Sequence, residues 1–268
     1  MIAATSPVLS VVVPMRNEAR SVGPLLARLG KVLDAIGEPA EIVAIDDGST
    51  DGTADLLKAA RSTEPRLKIV AFSRNFGKEV ALAAGLRYAR GRAVVLMDGD
   101  LQHPPELIEE LVARWRAGWQ MVYAVRTDRK NEGRRRRIAA RLFYATFARL
   151  SSTDLPHGGG DFRLLDRRVV DALNMLPERT RFTKGLYAWI GFKQTSVPYR
   201  VAERHAGRSG WSFRSLWRFA LDGIVSFSTL PLRVWTYIGL LISVAAIGYA
   251  TFVLVSTLIW GVDVPGYP

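Results

Sequence analysis

The chain has 268 residues, of which 49% are hydrophobic and 23% charged, with a formal net charge of +12 and no cysteine. This length and apolar content exclude a wholly disordered polypeptide and provide for a large domain plus something smaller. The lack of cysteine excludes disulfides and thiolate metal sites and fits a reducing compartment. The positive charge points to an anionic partner, whether nucleic acid, lipid headgroups or phosphorylated substrates, without choosing among them.

In chain order, Met1–Pro7 carries no basic region and Val8–Val13 is too short an apolar run, so no signal peptide is expected. Val8–Val13 reads as a buried strand ending at Pro14, followed by the loop Arg16-Asn17-Glu18 and an amphipathic helix over Ser21–Ile36. Glu41–Ile45 is a second strand running into Asp46-Asp47-Gly48-Ser49, and Thr53 is placed to cap a helix through Ala60. Leu67–Phe72 is a third strand, followed by the loop Ser73–Gly77 and a helix to about Arg90. Ala93–Leu96 is a fourth strand, Pro105–Ala117 a helix, and Met121–Val125 a fifth strand. This alternation predicts an α/β fold with a mostly parallel sheet covered by helices on both faces.

In such a sheet, ligands collect at the carboxyl ends of the strands. There the sequence places Met97-Asp98-Gly99-Asp100-Leu101-Gln102. Two carboxylates one residue apart suit a hard divalent cation, Mg2+ or Mn2+, which can in turn hold substrate phosphates. A turn whose aspartates only cap the helix after Pro104 is the simpler alternative. Asp46 and Asp47 are placed to accept hydrogen bonds from a ribose or base, and Arg74–Lys78 offers cations for a diphosphate. No GxGxxG follows the first strand and no GxxxxGK[ST] occurs, which removes the main support for dinucleotide-binding and P-loop readings. No pair among His103, His157 and His205 has zinc-ligand spacing.

Two basic segments and one long apolar one follow. Arg126 ends the fifth strand at the ligand edge; Arg134–Arg137 opens a helix from which Arg136, Arg137 and Arg141 can follow into a phosphate site. Trp211–Phe227 has an amphipathic pattern suited to a membrane interface. From Val234 to Trp260 no residue is charged, long enough at ~1.5 Å per residue to cross a ~30 Å hydrocarbon core. Trp235, Tyr237 and Trp260 sit near its ends. Arg214, Arg218 and Arg233 precede it while Asp263 follows, an asymmetry that puts the N-terminal part in the cytoplasm.

Val11-Val12-Val13-Pro14 with Asn17-Glu18, Asp46-Asp47-Gly48-Ser49, Ser73–Glu79 and Met97–Glu106 together resemble the family 2 glycosyltransferases of GT-A fold. Gly160-Asp161-Phe162-Arg163-Leu164 and Arg204–Ser209 resemble more narrowly the polyisoprenyl-phosphate glycosyltransferases, a group similar to dolichol-phosphate mannose synthase and the glucosyltransferases of O-antigen modification. The resemblance implies that Pro14, Asn17, Glu18 and Asp47 hold the nucleotide, and that Asp98 and Asp100 hold metal and diphosphate with Gln102 in the coordination sphere. It implies a nucleotide-sugar donor, UDP-glucose first among them, and inverting transfer of its hexose to a polyprenyl phosphate such as undecaprenyl phosphate at the bacterial inner membrane. GDP-mannose or a UDP-aminopentose as donor, and a non-catalytic scaffold for acidic lipids, are the alternatives. Nucleic acid is not an expected partner, and self-association is compatible with the reading.

The expected organisation is a cytoplasmic catalytic domain over 1–207, a juxtamembrane segment over 208–232 and a membrane helix with a short tail over 233–268. The group's second membrane helix and basic tail are not in this sequence. Other departures are Gly99 for the usual alanine, His103 for the usual aspartate before the Pro-Pro pair, and Ser209-Gly210-Trp211 for Ser-Lys-Tyr. Arg208, with Arg204 nearby, is then the cation that substitutes near the phosphates. An acceptor phosphate needs cations more than a base, and Arg126 and Arg137 are the candidates to grip it. Asp161 is either a general base or the orienting partner of a neighbouring arginine.

Overall fold

The structure, a computed structural model, describes residues 6–127, 159–176, 183–199 and 230–261. Its strands are β1 (Leu9–Met15), β2 (Ala40–Asp46), β3 (Leu67–Ala71), β4 (Ala93–Leu96), β5 (Met121–Arg126), β6 (Gly159–Asp166) and β7 (Gln194–Tyr199). Its helices are α1 (Ala19–Ile36), α2 (Thr53–Ala60), α3 (Lys78–Tyr88), α4 (Leu107–Arg116), α5 (Arg167–Met175), α6 (Thr183–Trp189) and α7 (Leu230–Trp260).

The strands form one seven-stranded sheet in the order β3-β2-β1-β4-β6-β5-β7. β1 pairs in parallel with β2 and β4, β2 with β3, and β5 with β7. β6 runs antiparallel to both of its neighbours, β4 and β5. The sheet is therefore mostly parallel, as the sequence predicts.

Apolar runs such as Val11–Val13 and Val94–Leu96 are buried on both sides because helices cover both faces. On one face Val11, Val13 and Ile42 meet Leu25 and Leu29 of α1 and Ile108 and Leu111 of α4. On the other, Val12, Val43 and Ile45 meet Leu82 and Leu86 of α3 and Val169 and Leu173 of α5.

Local details depart from the sequence expectations. β1 runs through Pro14 to Met15. Pairing with β4 ends at Val12, while pairing with β2 continues to Met15. Val12 O accepts from Met97 N–H and Met15 O from Asp47 N–H, so alternation turns the Pro14 nitrogen toward β4, beyond the end of its ladder. Gly52, not Thr53, is the N-cap of α2; Thr53 is its first helical residue, and its hydroxyl is engaged with Asp51 and Glu18 instead. α4 begins at Leu107 rather than Pro105. Residues 211–227, expected to be an interfacial helix, lie outside the described residues. α7 contains a 28-residue stretch, Arg233–Trp260, that is long and apolar enough to cross a membrane and is not buried within the protein.

Candidate active site

The chain runs from β1 outward to β3 and then crosses back to β4 on the other side of β1. That reversal opens a crevice beyond the carboxyl ends of β1 and β4, the place where open α/β sheets bind ligands. Because β6 alone runs antiparallel, it is the start of β6, at Gly160 and Asp161, that meets this edge. The ends of β5 at Arg126 and of β7 at Tyr199 meet it too, and these two residues pair in the sheet.

Loops following β1, β2 and β3 interlock at one side of the crevice. Asn17 N–H donates to Ser49 Oγ at 3.0 Å, and Thr50 N–H donates to Asn17 Oδ1 at 2.9 Å. Glu18 N–H donates to Thr53 Oγ1, and Ser21 Oγ donates to the Glu18 carboxylate. Asp46 Oδ1 accepts from Ser49 N–H at 3.1 Å and so folds its own turn. Asp47 is 4% exposed and accepts from the backbone N–H groups of Phe76 at 2.7 Å and Gly77 at 2.9 Å. Gly48 lies between these loops: its φ is +63°, and a Cβ there would stand 2.4 Å from the carbonyl carbon of Arg74. The Arg74 guanidinium lies 4.1 Å over the ring of Phe76.

The Asp98–Gln102 turn forms the middle of the site. Leu101 has a φ of +59°, a left-handed conformation that costs a non-glycine residue about 1 kcal/mol or more. Its side chain is anchored in the core at 3% exposure, while Asp100 and Gln102 on either side are half-buried. The only other non-glycine residue with positive φ among the described residues is Asn17, also at this edge. Gln102 N–H donates to Asp100 Oδ1 at 3.1 Å. At Gly99 a Cβ would lie 3.2 Å from Met15 Cγ and Cε, which explains the smaller residue there: Met15 of β1 fills the space.

Lys78, the first residue of α3, is central to the electrostatics. Its Nζ lies 2.6 Å from Asp98 Oδ1 and 2.6 Å from Asp161 Oδ2. Lys184 of α6 approaches Asp161 Oδ1 at 3.7 Å. Burial acts to lower the Lys78 pKa, but Asp98 and Asp161 outweigh it and raise it, so the ammonium stays charged. Burial acts to raise both carboxyls. Lys184 and Lys78 nevertheless hold Asp161 well below the usual carboxylate range, and Lys78 and His103 hold Asp98 below it. Glu79 behaves oppositely: burial and the nearby Asp161 push it up to about 7, against the attraction of Lys78 and Lys184. Thr183 donates its hydroxyl to Glu79 and thereby ties α6 to α3. Beneath them Arg163, 6% exposed, donates to Gly160 O at 2.7 Å and stacks 3.8 Å over Tyr187.

The structure thus brings together Pro14, Asn17, Glu18, Asp46, Asp47, Lys78, Asp98, Asp100, Gln102, Arg126 and Asp161 at one sheet edge. Asp161 meets two lysines there, and the charge of Arg163 acts on it as well. Arg137, Arg141, Arg204 and Arg208 lie outside the described residues, as do His157 and His205. Lys184, Thr183 and Tyr199 were not legible as site residues, since no motif surrounds them. His103 was visible only as a departure from a family pattern. No three His, Cys, Asp or Glu side chains converge on a single point among the described residues. A hard cation here would therefore draw on the carboxylates of Asp98 and Asp100, the amide oxygen of Gln102 and the oxygens of a substrate. That all-oxygen set fits Mg2+ or Mn2+.

Residues 10–173 match the model of glycosyl transferase family 2. The chain belongs to that family. It is 42% identical to a bactoprenol glucosyl transferase of Shigella phage SfV, over 97% of this chain and 85% of that protein. A prophage bactoprenol glucosyl transferase homolog of Escherichia coli is likewise 42% identical, over 97% and 85%. An uncharacterised glycosyltransferase of Synechocystis is 49% identical over 97% and 81%. Among solved structures, glucosyl-3-phosphoglycerate synthase of Mycobacterium tuberculosis, with Mn2+, UDP-glucose and glycerol 3-phosphate, has a TM-score of 0.57 at 21% identity, over 81% of this chain and 78% of that one. A mannosyltransferase of Pyrobaculum calidifontis in complex with GDP-mannose and Mn2+ has a TM-score of 0.53 at 20% identity, over 96% and 84%. At such identities the likeness carries the fold, and the fold of this glycosyltransferase is GT-A.

Proposed function

We propose that this glycosyltransferase moves glucose from UDP-glucose to a polyprenyl phosphate, with inversion, at the cytoplasmic face of a bacterial inner membrane. The observation that carries the reading is the crevice beyond β1 and β4, where Lys78 bridges Asp98 of an oxygen-donor turn and Asp161, and Asp161 also meets Lys184. The relatives named for glucose and bactoprenol support the choice of sugar and acceptor, and α7 supports attachment to a membrane. The catalytic unit is 1–207, residues 208–232 approach the membrane, and 233–268 hold the span.

Asp98, Asp100 and Gln102 would hold Mg2+ or Mn2+, which when bound supplies charge neutralisation for the departing diphosphate. Asp47 fixes the 73–77 loop and faces the nucleotide with Pro14, Asn17, Glu18 and Asp46. Lys78, kept charged by Asp98 and Asp161, and Lys184 beside Asp161 offset negative charge beside the diphosphate. A phosphate oxygen of the lipid attacks the anomeric carbon as the bond from that carbon to the UDP oxygen breaks, and UDP leaves. The phosphate monoester already carries ~1.5–2 negative charges at neutral pH, so no side chain has to remove a proton from it. Arg126, with Arg137 and Arg141 from the following basic segment and Arg204 and Arg208 further on, orients that anion through its planar guanidinium. Asp161 therefore acts as an organiser of cations and not as a base.

The test uses the full chain in vesicles containing undecaprenyl phosphate, with UDP-glucose, GDP-mannose and a UDP-aminopentose offered separately with Mn2+ or Mg2+. UDP-glucose should give a lipid-linked hexose that chelation of the metal abolishes. Asp100→Ala should lose both product and Mn2+-dependent UDP binding while keeping its fold. Product from another donor alone would overturn the choice of sugar, and wild-type turnover by Asp100→Ala would overturn the metal assignment.

A further inference from the structure

One contact at the site stands outside the mechanism above. His103 lies in the turn between Gln102 and the Pro104-Pro105 pair, with its side chain 14% exposed. Its Nδ1 is 2.9 Å from the hydroxyl of Tyr199, the last residue of β7. Its Nε2 is 3.6 Å from Asp98 Oδ2, an electrostatic contact slightly longer than a hydrogen bond. The ring is packed between Phe162 and Tyr199, with centroids 5.2 Å and 5.6 Å away.

We propose that His103 is a positioning residue for Asp98 and that Tyr199 sets its orientation and tautomer. An ionised carboxylate only accepts hydrogen bonds, so the nitrogen facing Asp98 must carry the hydrogen. With the hydrogen on Nε2, the Nδ1 lone pair accepts from the Tyr199 hydroxyl, and of the two neutral tautomers only this one satisfies both contacts. Asp98 is then held from two sides: Oδ1 by Lys78 of α3 and Oδ2 by His103, itself braced by β7. The inference rests on the reading of Asp98 as a ligand to a divalent cation. Groups that fix the orientation of such ligands typically change metal affinity by about 10–100-fold when removed.

The test has a spectroscopic arm and a binding arm. The chain has three histidines, so long-range proton–nitrogen spectra of nitrogen-15-labelled protein in detergent can assign His103 by substitution. The expected spectrum shows hydrogen on Nε2, with the Nδ1 resonance moving in Tyr199→Phe. Mn2+ affinity in the presence of UDP is measured by calorimetry and electron paramagnetic resonance. His103→Phe keeps a ring against Phe162 and Tyr199 but should weaken Mn2+ binding by about 10-fold. His103→Gln, whose amide can accept from Tyr199 and donate to Asp98, should recover most of that loss. Hydrogen on Nδ1 in the wild type would overturn the proposal. So would wild-type Mn2+ affinity in His103→Phe alongside a loss in Asp98→Asn. Unchanged Mn2+ affinity in Asp98→Asn would instead overturn the ligand reading of Asp98, and the proposal with it.

Discussion

Replacing Lys78 with methionine tests the charge arrangement directly, because it keeps the length of the side chain and removes its charge. The ammonium lies 2.6 Å from each of two carboxylates, and at an effective dielectric of about 20 each contact is worth roughly 6 kcal/mol in gross Coulomb energy. Desolvation cancels most of that, and removing one partner from a buried pair costs about 3–5 kcal/mol. Lys78 is 34% exposed, Asp98 26% and Asp161 28%. Solvent screening therefore brings the expected loss to about 2–3 kcal/mol. For a domain of this size that corresponds to a fall of roughly 4–12 °C in Tm, read by thermal unfolding of the nucleotide-free protein in detergent. Asp161→Asn in the same chain removes one of the two stranded charges, so the double variant should recover about 1–2 kcal/mol relative to additivity. A Tm within about 1 °C of wild type for Lys78→Met, or strictly additive losses, would refute the view that Lys78 is the counter-ion of both carboxylates.

Gly48→Ala combines a left-handed backbone with a Cβ placed 2.4 Å from Arg74 backbone. It should cost about 2–4 kcal/mol in urea unfolding and weaken UDP binding as the Asp47 contacts to Phe76 and Gly77 open. Burial and Asp161 push Glu79 from its ordinary carboxyl range up to about 7, so its charging opposes folding as pH rises through that window and the penalty is complete above it. Glu79→Gln should therefore gain stability over wild type between about pH 5 and pH 8 and show no such gain at lower pH; a pH-independent difference would show that burial and the charges of Asp161, Lys78 and Lys184 do not set Glu79 as described. Asp161 is held below the usual carboxylate range, so it is already ionised throughout the working pH. Asp161→Asn should slow turnover while leaving the acidic limb of the pH–rate profile in place, and disappearance of that limb would identify Asp161 as the base after all.

The sequence alone determined the features whose physics is local. Buried runs such as Val11–Val13 and Val94–Leu96 specify strands, the apolar spacing of Val22, Leu25, Leu29 and Leu33 specifies α1, and the uncharged stretch from Val234 to Trp260 specifies a helix long enough for a membrane. The Asp98–Gln102 turn was legible as a site because a strand leads straight into it. Cap positions were not: Thr53 has the chemistry of a cap, but Asp51 and Glu18 engage its hydroxyl and Gly52 takes the left-handed turn. The antiparallel placement of β6 between β4 and β5 was not legible either, because strand pairing across long connections depends on which edges remain open once the parallel strands have packed. That placement carries Asp161 to Lys78, 83 residues earlier in the chain, and the end of β7 carries Tyr199 to His103, 96 residues away. Side-chain periodicity has no information at such separations. Only the assembled sheet, with its helices packed, decides which charges share a crevice and how they set one another's protonation.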